Sequence, residues 1–178
     1  MRPNQHLRVH HSVIAADALP DIIENAYALG SPITCRLFSA NSNDHYLITS
    51  SSTKAMLRIY HHDPFWLSSE AHYHFELDWL DYLHQHDLPV SYPLPQRNGA
   101  RLGALMAPEG IRYYTLCSFA PGTVCYPLTV AQCHMLGMRL AQIHQASIIR
   151  RVSGGRRYCR ATKPFAISLK PSTQLCLF

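Results

Sequence analysis

Between residues 33 and 119 the hydrophobic period changes twice, from two to about 3.6 and back to two, and few folds accommodate that succession. Ile33–Ser39, His45–Thr49 and Lys54–Tyr60 read as three short strands, the first two joined by the turn-rich run Ala40-Asn41-Ser42-Asn43-Asp44. In the third, Ala55, Leu57 and Ile59 alternate with Met56, Arg58 and Tyr60, so Arg58 lies on the face opposite Leu57 and Ile59. Residues 66–86 form the strongest helix, with Trp66, Tyr73, Leu77, Leu80 and Leu83 on one stripe. Glu76 falls inside that stripe, and a carboxylate on a packing face needs a cation or hydrogen-bond donors, unless it sits at the stripe's edge and reaches water. After Asp87-Leu88-Pro89 and a proline-rich connection, Leu102–Ala107 and Arg112–Phe119 return to strand.

A leading helix is expected from Asp17 to Gly30, with Pro20 in its first turn and Gly30 as its stop. Thr129-x-x-Gln132 resembles a capping box and opens a helix to about Ala146, with Cys133, Leu136, Leu140 and Ile143 on one face. The order is helix, three strands, helix, two strands, helix. A three-strand meander is the simplest reading of the first strands, and the expected fold class is α+β: a five-stranded antiparallel sheet with one long helix packed on it.

Charge divides the chain unevenly. Residues 1–147 hold nine Lys/Arg against eleven Asp/Glu, whereas residues 148–178 hold seven Lys/Arg and no acid. The last segment has no periodicity apart from Phe165–Leu169, a brief strand candidate, and is expected to be poorly ordered. A basic tail could bind nucleic acid, but few aromatic residues interleave it and no recognisable fold carries it, so nucleic acid is disfavoured as a partner. With 47% apolar residues in 178, the chain can bury a core, and no apolar run is long enough to span a membrane. The N-terminus shows no hydrophobic signal core, and six scattered cysteines form no C-x-x-C pair. The expectation is a cytoplasmic protein with reduced thiols.

Twelve histidines invite a metal test. His10-His11 and His61-His62 are adjacent, and His72/His74 and His84/His86 are H-x-H pairs. Side chains two apart on a helix diverge, so the H-x-H pairs cannot chelate one ion, and no HExxH or finger spacing occurs. The expected reading is surface histidines and no metal site. No catalytic triad or Walker-type phosphate loop is present, and glycine is nowhere clustered ahead of a helix.

One arrangement carries a sharper signal: a turn between two strands, a strand cation (Arg58), a helix acid (Glu76), then two strands ending in Leu116-Cys117-Ser118-Phe119-Ala120-Pro121-Gly122. The plain reading of Arg58–Glu76 is an ion pair that braces strand to helix. The order of parts, however, is that of a kinase nucleotide lobe, where a turn covers the phosphates, a cation held by an acid contacts them, and a connecting segment meets adenine. The chain resembles the aminoglycoside phosphotransferase-like small-molecule kinases, the group that also holds type II homoserine kinases and choline kinase relatives. The matching stretches are Ser42-Asn43-x-x-Tyr46-Leu-Ile, Met56-Leu57-Arg58-Ile59-Tyr60 and Glu76-Leu-x-x-Leu80-x-x-Leu83. They continue through Ala107-Pro108-Glu109-Gly110, Leu116-x-x-Phe119-Ala120-Pro121-Gly122 and Leu136-Gly137-x-x-Leu140-Ala141-x-x-His144.

The resemblance implies a protein-kinase-like N-terminal lobe over residues 1–124, a linker helix over 125–147 and the basic tail over 148–178, with the C-terminal lobe missing. It places Asn43 in the phosphate-covering turn, Arg58 at the cation position with Glu76 as its partner, and the backbone of Ser118 and Ala120 at adenine. The family often has Lys where this chain has Arg58. It implies ATP as the phosphoryl donor, Mg²⁺ in the full-length proteins and a small-molecule hydroxyl as acceptor. The family's catalytic pattern H-G-D-x-H-x-x-N is absent, and no Asp or Glu follows His144. The expectation is thus a nucleotide lobe whose ATP binding is weak or lost and which is inactive alone. The alternatives are a non-catalytic interaction module pairing with a separate catalytic lobe, and a degenerate remnant.

Overall fold

The computed structural model describes residues 8–62, 69–123 and 125–153, with side chains as far as residue 147. Trp66, the Phe165–Leu169 strand candidate and most of the basic tail lie outside the described residues. A single 3₁₀ turn (Ala16–Ala18) and the helix α1 (Pro20–Ala26) lead into β1 (Thr34–Ala40), β2 (Asn43–Thr49) and β3 (Lys54–Tyr60). Then follow α2 (Glu70–Gln85), β4 (Gly103–Ala107), β5 (Gly110–Ser118) and α3 (Val130–Ser153). The five strands form one antiparallel sheet in the order β1-β2-β3-β5-β4, which is the α+β architecture expected from the alternating periods.

The two faces of the sheet are chemically different. On one, Tyr46, Ile48, Ala55, Leu57, Ile59, Tyr114 and Leu116 form a single apolar cluster with Leu19, Ile23 and Tyr27 of the N-terminal helical region. Burying an aliphatic side chain of this size stabilises the fold by roughly 1.5–3 kcal/mol, so this face carries most of the apolar driving force. The other face is covered by α2, where Tyr73 and Leu77 are buried as the helical stripe predicts. Tyr73 packs edge-on against Tyr60 of β3, with ring centroids 4.6 Å apart, and reaches Tyr113 of β5 at 5.0 Å.

Several boundaries differ from the sequence-based expectation. The leading helix ends at Ala26 instead of Gly30, because Tyr27 turns to extended backbone and drives its ring into the core. The β1–β2 connection is Asn41 and Ser42, since β1 runs to Ala40 and Asn43 already pairs with Tyr60 as the first residue of β2. The capping box at the start of α3 forms as expected: Gln132 N–H donates to Thr129 Oγ1 (3.3 Å) and Thr129 N–H to Gln132 Oε1 (2.8 Å). That helix continues past Ala146 to Ser153.

The chain divides into two compact units. Among the described residues, 8–62, 69–82 and 91–120 make the first, and 83–90, 121–123 and 125–153 make the second. The first holds the whole sheet. In the second, Leu83, Leu88 and Ala146 are buried, while Leu136, Leu140 and Ile143 of α3 are half-buried. No helix among the described residues is long and apolar enough to cross a membrane.

Candidate functional site

Strand alternation sends Arg58 to the α2 face, and the helical period places Glu76 on the side of α2 that faces it. The two meet in a direct ion pair between Arg58 Nη1 and Glu76 Oε1. Tyr60 completes a small network. Its hydroxyl donates to Glu76 Oε2 (3.3 Å) and lies 3.4 Å from Arg58 Nη1, and its ring sits 5.6 Å from the guanidinium carbon. The Arg58 side chain is only 4% exposed, while Glu76 keeps 33%, so the acid forms the open side of the pair. Burial alone would lower the Arg58 pKa. The neighbouring Tyr60 and Glu76 outweigh that and hold it above its ordinary value.

His45 lies directly across the β2–β3 ladder from Arg58. Burial, aided by the Arg58 charge, pushes its imidazole down to about 4, so the ring is neutral near pH 7. Its Nδ1 lies 3.3 Å from the Ser39 hydroxyl on β1. Asn43 opens β2 beside the Asn41-Ser42 turn and pairs with Tyr60, and its carbonyl accepts from Asn41 N–H (3.1 Å). Asn43, Arg58 and Glu76 are therefore carried by one hairpin, the next strand and the helix above it.

Ser118 and Ala120 stand at the far end of β5. The Ser118 N–H, which the resemblance offers to adenine, is already given to the Tyr92 carbonyl (2.8 Å). Its carbonyl accepts from the Ser91 hydroxyl (2.6 Å), which leaves one lone pair for a ligand. The Tyr92 N–H in turn donates to Ser118 Oγ (3.1 Å), and Leu94 N–H donates to the Leu116 carbonyl (2.7 Å). The proline-rich segment after α2 thus runs along the end of β5 and fixes it. Ala120 is exposed.

Reading the sequence alone missed His45, Tyr60 and the Ser91–Tyr92 clamp. Tyr60 shares the two-residue alternation of Arg58, and that signal could have found it. No local pattern marks Ser91 or Tyr92, whose partner Ser118 lies 27 and 26 residues away.

Comparison with known proteins places this geometry. The chain is 36% identical over 138 residues to an uncharacterized protein of Synechocystis sp., covering 77% of this chain and 37% of that protein. It is 32% identical over 137 residues to an uncharacterized protein of Deinococcus radiodurans, covering 77% and 39%. The chain thus spans well under half the length of these curated relatives. Two solved structures share the fold: a microcompartment-associated aminopropanol kinase (TM-score 0.58, 21% identity, 74% of this chain and 40% of that one) and the amicoumacin kinase hAmiN in complex with AMP-PNP, Ca²⁺ and Ami (TM-score 0.58, 21% identity, 73% and 39%). The kinase-like lobe expected from the order of parts is the observed fold. Residues 34–163 match the phosphotransferase enzyme family, from the first strand of the sheet through α3, and the chain belongs to that family.

Proposed function

We propose that the sheet and α2 form the nucleotide-binding lobe of an ATP-dependent phosphotransferase that phosphorylates a hydroxyl of a small molecule. In this reading the Asn41-Ser42 turn, with Asn43 at its β2 end, covers the phosphates, and Arg58, held by Glu76, contacts them. The remaining lone pair of the Ser118 carbonyl and the backbone of Ala120 meet adenine. The observation that carries the reading is the Arg58–Glu76 pair on the α2 face, in a chain of the phosphotransferase family. The amicoumacin kinase complex, with its AMP-PNP, supports ATP as the donor, and such a donor implies a cytoplasmic setting.

Mg²⁺ fits this chain poorly. Glu76 is already engaged by a guanidinium and a phenol, and the sequence from residue 110 to 178 contains no Asp or Glu. Hard cations need carboxylate or other oxygen ligands, which Lys and Arg cannot replace. That shortage favours a second reading, a non-catalytic lobe that needs a separate catalytic lobe as partner. In both readings the chain binds nucleotide.

A thermal-shift titration with AMP-PNP tests the shared claim. The chain should be stabilised at millimolar nucleotide, as mass action requires of a ligand that binds only the folded state. Arg58→Met should remove the shift. No shift in the wild type at millimolar AMP-PNP overturns the nucleotide site.

A further inference from the structure

On the face of the sheet away from Arg58, three segments distant in the sequence bring two imidazoles and a carboxylate together. His11 comes from the N-terminal segment, Asp44 from the start of β2 and His61 from the residue after β3. One ligand atom from each lies within 4.8 Å of the other two, and His11 Nε2 is 3.6 Å from Asp44 Oδ1. The two imidazole rings lie 4.0 Å apart between centroids. Asp44 is fully buried, yet its Oδ1 accepts no hydrogen bond among the described residues, and His61 Nε2 is likewise buried without one. Buried polar atoms are nearly always satisfied, so two orphans on members of one cluster ask for a ligand.

The surroundings hold this cluster in place. Arg112, fully buried, donates from Nη2 to Asp44 Oδ2 (2.8 Å), which leaves Oδ1 as the outward oxygen. Its Nε donates to the Tyr60 carbonyl (2.8 Å), next to His61, and its Nη1 to the Ser12 carbonyl (2.6 Å), next to His11. Glu109 grips Ser12 from the other side, accepting from its hydroxyl (2.7 Å) and its N–H (3.1 Å). One guanidinium thus braces the backbone beside each histidine and the carboxylate itself, the kind of outer support that orients metal ligands. Asp44 and Glu109 together outnumber the single Arg112 charge, so the pocket keeps an excess negative charge for a cation to offset.

We propose that His11, Asp44 and His61 bind a divalent transition-metal ion of the Zn²⁺ class through one imidazole nitrogen each and Asp44 Oδ1. Two nitrogens and one carboxylate oxygen suit Zn²⁺ and disfavour Mg²⁺, which prefers oxygen ligands alone. Donor atoms of a tetrahedral Zn²⁺ site lie about 3.3 Å apart, given Zn–N and Zn–O distances near 2.0–2.1 Å. The His11–Asp44 pair is near that spacing, and exposed His11 is the ligand free to close the rest. Bound metal would tie the N-terminal segment to the start of β2 and the end of β3. The expectation of surface histidines and no metal site came from spacing along the chain, which cannot reveal groups drawn from three segments.

The test is a competition titration of untagged chain with Zn²⁺ against a chromogenic chelator, with Co²⁺ as a spectroscopic substitute. The expected result is one equivalent bound in the micromolar range, with a Co²⁺ spectrum free of thiolate charge-transfer bands. His11→Asn and His61→Asn should each weaken binding about ten-fold or more, whereas His72→Asn, on exposed α2 surface, should not. Asp44→Asn strips Arg112 of a carboxylate and risks misfolding, so the two histidine variants decide the matter. Absence of micromolar binding, a thiolate spectrum, or binding indifferent to both histidine variants overturns the site.

Discussion

Arg58 and Arg112 occupy neighbouring strands but opposite faces of the sheet, and each is buried in a different company. Arg112 and the carboxylate of Asp44 are both shut off from water, with Glu109 3.6 Å away as a second anion. Arg58 meets a carboxylate that still touches solvent. A buried ion pair returns little net stability, but removing one partner leaves an uncompensated charge, so both arginines depend on their acids. His45, across from Arg58, shows how that charge reaches its neighbours. Its ring titrates at about 4 when folded and near the usual 6.5 when unfolded, so the unfolded chain binds more protons between those values. Above pH 6.5 the ring contributes nothing to pH dependence, and stability is lost as pH falls through that window. From pH 7 to pH 5 the loss is about 1 kcal/mol once solvent screening of the half-exposed ring is allowed for. Urea midpoints for wild type and His45→Gln at the two pH values should show the fall in the wild type reduced by that amount in the variant.

At the scale of elements, the strand β3 and the helix α2 are joined by the polar network of Arg58, Tyr60 and Glu76 beside the Tyr60–Tyr73 ring contact. The bridge is asymmetric, because the cation is covered and the anion is not. Glu76→Gln should therefore destabilise the chain by about 1–3 kcal/mol, leaving a buried guanidinium with a weaker partner. Arg58→Met should cost less than about 1 kcal/mol, since the methionine keeps the volume and Glu76 can turn to water. Chemical denaturation of the two variants checks the order, and equal losses would contradict it. The elements themselves were largely legible in the sequence. The stripe of α2, the alternation of β3 and the Thr129–Gln132 capping box all depend on residues within a few positions of one another. The stop of α1 was not, because Tyr27 leaves the helix for a tertiary reason, its burial in the core.

The molecule as a whole carries the sheet and helix of a kinase-like lobe but spans well under half the length of its curated relatives. Its last acid is Glu109, so no carboxylate in the sequence from β5 onward can orient a hydroxyl or hold a cation at phosphates. The 178-residue chain should accordingly release no ADP above the buffer rate from ATP and Mg²⁺ with small hydroxyl acceptors. A coupled ADP assay on purified chain measures this, and sustained turnover would contradict the proposal of an incomplete site.

The candidate site divides along the same line. Arg58 and Glu76 were readable because strand alternation and the helical stripe each fix a face, and the order of turn, cation, acid and connecting segment survives in the linear chain. Asn43 was expected in the turn, but strand pairing with Tyr60 makes it the first residue of β2. By itself, then, the amino-acid sequence determined the periods, the caps and the order of parts, all of which follow from short-range sterics and hydrophobic pattern. Only the tertiary structure decided which distant groups meet. It set Arg112 against Asp44, Glu109 and Ser12, laid Ser91 and Tyr92 along Ser118, and gathered His11 and His61 around one carboxylate. The physical reason is that strand register and burial, not spacing along the chain, determine which polar groups must find one another.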